Sequence, residues 1–217
     1  ENETLERSFD RVEWLLHTGV TLVFSITTVL IVPFVRVYTS NITDANYIVP
    51  AFAYLITLAQ AMYCLRLPYN IMVLAAGHYK QTQWSAIIEA GINIVVSVVL
   101  VFKFGLIGVA IGTLVAMMYR TVYLAHYLSH NILFRKLRHF IKHICTDVLS
   151  ASLVLLVVNL FSSFFGMERV SYGAWIIMAL KVGFAAVLSV AAVNVILYRQ
   201  KVFAFVKHLG ALEGRSH

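Results

Sequence analysis

Three cationic residues stand inside long apolar runs: Arg66, Arg120 and Lys181. An arginine near the bilayer centre costs on the order of 3 kcal/mol by insertion scales, so it turns toward protein or a watery cavity. Arg66 lies about ten residues from the end of its run, roughly 15 Å deep at 1.5 Å per residue. Tyr63 and Asn70 stand three before and four after it, on the same helical face. Pro68 weakens the helix beside them. Two chemistries fit. Arg66 is either a cationic patch for an anionic substrate group or half of a structural ion pair, and intramembrane charge favours the first.

A polar row follows in steps of four: Gln81, Ser85, Glu89, Asn93 and Ser97. Such steps hold one helical face with a slow drift. Facing lipid, this row would be costly, so it faces a neighbouring helix or an aqueous cleft. Glu89 pairs with Arg66 or with Arg120, and spacing alone does not choose. A row of interhelical hydrogen bonds carries equal weight with a cargo site. Arg120, with Tyr123 and Tyr127 beyond it, reads as a side chain snorkelling to the headgroups. Lys181 either snorkels or lines a groove, while Asn159 and Asn194 read as interhelical links. The chain Arg66, Asn70, Tyr63, Glu89, Asn93, Arg120 and Lys181 is the expected substrate-binding set.

His139 and His143 are four apart, a spacing that binds metal on a helix. No carboxylate or third ligand accompanies them in their loop, so no metal or cofactor is expected. They belong to LFRKLRHFIKH, a basic amphipathic stretch. It reads as a surface helix held by anionic lipid through Arg135, Lys136, Arg138 and Lys142. Cys64 and Cys145 read as packing residues, not a disulfide framework. Neither a Ser-His-Asp set nor a phosphate-cradling glycine motif is present, so an enzyme is not expected.

Membrane helices must hold these groups. The chain has 217 residues, 60% hydrophobic and 12% charged, with net charge +7. Its mean hydropathy is +0.82. A water-soluble domain with about 25% charged residues has a different balance, and disorder is excluded by the same apolar excess. Six apolar segments emerge: Trp14 to Val35, Tyr47 to Ala76, Trp84 to Phe102, Gly105 to Tyr127, Ile144 to Phe165 and Gly173 to Tyr198. Each is close to the ~20 residues that cross a bilayer as helix. The fold class is an all-α polytopic membrane protein with six transmembrane helices.

Eleven basic residues lie on one side of these segments and three on the other. The positive-inside rule then places both termini in the cytoplasm. The stretch ENETLERSFDRV carries a weak apolar stripe and reads as a short cytoplasmic helix or a frayed end. Gly108 and Gly112 form a small-xxx-small pair that lets another helix approach. The sequon Asn41-Ile42-Thr43 falls in an outer loop. The chain opens Glu-Asn-Glu, which reads as the C-terminal portion of a longer protein.

One stretch resembles a known family. It runs from LRLPYNIMVLAAGHYK through the asparagine-bearing third segment to the outer turn Phe104 to Thr113, of the form F-G-x-x-G-x-A-I-G-T. With Ala76, Gly77 and Lys80 in a cytoplasmic turn, it resembles the polysaccharide-biosynthesis proteins of the multidrug/oligosaccharidyl-lipid/polysaccharide exporter superfamily. The resemblance covers most of residues 10 to 130. It implies two facing six-helix bundles with two appended helices, the present six being the last of fourteen. Residues 1–143 would then be part of the second bundle, and 144–217 an appended hairpin and tail. It further implies a flippase for polyprenyl-pyrophosphate-linked sugars in a bacterial inner membrane, partnered by its own preceding helices. Two alternatives are a cation-coupled drug or metabolite antiporter of the same superfamily and a non-transporting subunit of a polysaccharide synthase.

Overall fold

The computed structural model describes residues 2–42, 44–167 and 169–205. Every element among them is helical: α1 (Asn2–Tyr38), α2 (Pro50–Leu65), α3 (Leu67–Ala75), α4 (Tyr79–Phe104), α5 (Leu106–Asn131), α6 (Arg138–Leu160), α7 (Ser162–Phe165) and α8 (Tyr172–Leu197). A further helical turn or two covers 199–205. Five helices, α1, α4, α5, α6 and α8, are long and apolar enough to cross a membrane. The exposed surface agrees with that reading. On α4, Trp84, Val99 and Phe102 are 71%, 63% and 86% exposed, a face that water would not tolerate but lipid or another helix covers.

The second expected segment is not one helix. It bends at Arg66, where α2 ends and α3 begins, with Pro68 in the first turn of α3. Proline is tolerated there because the first-turn N–H groups have no intrahelical partner anyway. The remaining five segments each lie in one principal helix, with different ends. The N-terminal stretch is helical as expected, and from Asn2 it runs unbroken within α1 into the first apolar segment. Likewise the basic stretch is not a detached surface helix, since Arg138 to Lys142 form the opening turns of α6. Thr43 of the sequon lies outside the described residues, as do Lys207 and Arg215.

The helices pack as two groups joined through α1 and α2. In one, α5 lies against both α4 and α2; in the other, α1, α6 and α8 pack together. Gly105, at φ 55°, turns α4 directly into α5 without a loop, a conformation glycine adopts without strain. The small-residue pair does what its spacing predicts. A Cβ on Gly112 would stand 2.7 Å from the Ser97 backbone nitrogen, and one on Gly108 2.8 Å from that of Val101. Gly112→Val therefore forces α4 and α5 apart. We expect a loss of about 1–3 kcal/mol from overpacking, read as a lowered melting temperature in detergent, with Gly91→Val near neutral. No atom lies within 4 Å of a Cβ on Gly91.

Asn194 is the interhelical link its type suggests. Its Oδ1 accepts from Trp14 Nε1 at 2.8 Å and from Thr18 Oγ1 at 3.2 Å, tying α8 to α1. Ser171 caps α8, its side chain accepting from the Ala174 backbone N–H at 3.2 Å.

Candidate functional site

Two buried charge networks occupy the bundle. The first joins most of the residues expected from sequence. Arg66 sits at the α2–α3 bend, Glu89 on α4 and Arg120 on α5. The Arg66 guanidinium donates through Nη1 to Glu89 Oε1, and the second carboxylate oxygen stands 4.0 Å from Arg120 Nε. One acid thus serves two bases. Arg66 also lies over the Tyr63 ring, 4.6 Å from its centroid. Thr121, next to Arg120, donates to the Met62 carbonyl at 2.9 Å and pins α5 to α2 just before the bend.

The carboxylate satisfies only part of this pair of cations. Arg120 Nε and Nη1 are buried without a hydrogen-bond partner. Its side chain is 12% exposed, so it does not snorkel as expected; Glu89 draws it inward instead. Asn93 sits one turn further along the same face and accepts from Ser97 at 3.2 Å and Thr113 at 3.4 Å. That end of the polar row is helix packing between α4 and α5. Asn70 stays half-buried beyond the bend. Lys181 is elsewhere. Its ammonium donates to the Phe164 carbonyl at 3.0 Å and lies 4.4 Å from the Phe164 ring, so it closes the end of α7 and does not join the arginines.

Sequence reasoning missed the second network. It gathers α1, α3, α6, the linker before α6 and the end of α8. Glu13 is fully buried and accepts from Tyr69 Oη at 2.7 Å and Arg135 Nη2 at 2.8 Å. His17 bridges Tyr69 Oη at 2.9 Å and Asp147 Oδ2 at 2.6 Å. His143 lies 3.0 Å from the Tyr198 hydroxyl through Nδ1 and 3.9 Å from Glu13 Oε2 through Nε2. Asp10, partly exposed, pairs with Lys201 at 2.7 Å.

These contacts take Arg135 out of the set expected to meet lipid headgroups. Arg135 is 3% exposed and belongs to Glu13, not to headgroups. Lys142 lies over the Tyr198 ring at 4.7 Å. Lys136, Arg138 and Lys142 remain exposed cations of that set. The two histidines part company as well: His143 turns inward, while His139 is exposed. A signal for this network exists in the sequence. Glu13 and His17 on α1, and His143 and Asp147 on α6, are acid–imidazole pairs four apart, each on one helical face.

Asp147 also borders a cavity of about 300 Å³ between α1, α2 and α6. Apart from Asp147 its wall is apolar with scattered hydroxyls, among them Thr21, Ser25 and Thr57, and Ser25 Oγ has no partner. Arg66 and Arg120 are not in that wall.

Fold and networks define a multi-pass, all-helical membrane protein with charge held inside its helix bundle. No family model, curated protein or solved structure matches the chain.

Proposed function

We propose that this chain is the C-terminal part of a transporter that moves polyprenyl-pyrophosphate-linked oligosaccharide from the cytoplasmic to the outer leaflet of a bacterial inner membrane. The observation that carries the reading is the Arg66–Glu89–Arg120 group, in which two guanidiniums share one carboxylate and Arg120 keeps two unbonded nitrogens. Excess positive charge at mid-depth suits a pyrophosphate, which guanidinium binds in fork geometry. A cationic cargo is the poorer match, because Glu89 is already engaged by two bases.

The bent α2–α3 pair counts as one crossing, giving six. Both termini lie in the cytoplasm, where Lys136 and Arg138 meet anionic headgroups. The helices α6 and α8 form the appended hairpin, and the bundle rocks against preceding helices of the same protein to alternate access.

Reconstituted full-length protein with a fluorescent polyprenyl-pyrophosphate oligosaccharide tests the reading. Arg66→Ala should reduce flipping to the level of empty liposomes while insertion is retained. Glu89 keeps Arg120 as its partner in that variant, so no carboxylate is stranded, and flipping at the wild-type rate would overturn the reading.

A further inference from the structure

We infer that Asp10, Glu13 and His143 form a binding site for a first-row divalent metal ion of the zinc class. One ligand atom from each lies within 4.8 Å of the others. Asp10 and Glu13 are three apart on α1 and share a face, and His143 reaches them from α6. Zinc holds carboxylate oxygen and imidazole nitrogen at about 2.0–2.2 Å, so modest side-chain movement closes the set. Glu13 supplies the independent sign of a ligand. It is fully buried, yet its Oε2 has no hydrogen-bond partner and faces His143 Nε2 at 3.9 Å. A buried carboxylate oxygen left bare is expensive, and a metal ion relieves that cost.

Surrounding groups suit the role. Arg135 holds Glu13 by Oε1 and leaves Oε2 pointing at the site. His143 must carry its proton on Nδ1 to offer Nε2 to a metal, and the Tyr198 oxygen stands 3.0 Å away to accept it. Such an outer-shell partner is what orients a ligating imidazole. Glu13 pairs with Arg135 and Asp10 with Lys201. A divalent ion must displace the Lys201 ammonium from Asp10. Lys142, on the outer side of Tyr198, is exposed to solvent. Lys201 is therefore the competitor for the metal.

Cobalt(II) titrated into the metal-stripped full chain in detergent tests this, with visible absorption and zinc competition as readouts. One equivalent should bind, and zinc should displace it. Asp10→Asn and His143→Ala should each weaken binding about tenfold or more. Asp10→Asn is the safer of the two for folding, since Asp10 is partly exposed. Lys201→Ala should tighten binding, which a merely structural lysine would not do, and His139→Ala should leave it unchanged. Equal cobalt binding by wild type and Asp10→Asn, or binding moved by His139→Ala and not by His143→Ala, would overturn the site.

Discussion

Replacing Glu13 by alanine should cost about 3–5 kcal/mol of stability, the range seen when one partner of a buried ion pair is removed. Glu13 is the hub of the second network, fully buried and bonded to both Tyr69 and Arg135. Arg135 Nε and Nη1 are already without partners. Taking the carboxylate away leaves a guanidinium at 3% exposure with only the Phe9 ring, 5.0 Å away, to answer its charge, and the Tyr69 hydroxyl with His17 alone. At roughly 2–4 °C per kcal/mol for a chain of this size, the melting temperature in detergent should fall by about 10 °C. Glu13→Ala combined with Arg135→Met should recover much of the loss, because an apolar pair is often no worse than a buried ionic one. An unchanged melting temperature in the single variant would mean that Arg135 finds solvent easily and that the network is not tightly closed.

Glu89→Gln carries the second large effect, this time on cargo. Glu89 is the counter-ion of Arg66 and Arg120, so an arriving pyrophosphate must compete with it. A neutral amide of the same shape removes the competitor. Under the proposed function, the variant should bind polyprenyl-pyrophosphate at least about tenfold more tightly, corresponding to ~1.4 kcal/mol. Its maximal flipping rate should drop, since a cargo held too strongly is released slowly. Fluorescence binding and a liposome flipping assay measure the two quantities separately. Unchanged affinity would mean that Glu89 and the cargo never share the arginines.

Composition and apolar run length were enough to read five long apolar helices, because a crossing is dictated by hydrocarbon thickness and backbone satisfaction, but not the break of the second segment at Arg66. The Gly108 and Gly112 contact was legible for a similar reason: close approach needs small residues whatever the partner is. Sequence left Glu89 open between Arg66 and Arg120, and its use by both depends on the packing of α5 on α2 and α4. Arg135 was misread because its loop is basic, and charge composition points outward to lipid. Its real partner lies 122 residues earlier in the chain, and no local pattern connects the two. Lys181 stands apart from the arginines because α8 packs on α1 and α6.

The 37 residues of α1 make a rod roughly 55 Å long at 1.5 Å per residue, against a hydrocarbon slab of ~30 Å. Much of it must stand proud of the lipid or lean steeply. A rigid mast magnifies small angular changes at its foot: leaning by about 10° sweeps one end some 10 Å relative to the other. Asp10, Glu13 and His17 ride on one end of that mast, so any swing of the bundle pulls at the very knot of ions that moors it to α3 and α6.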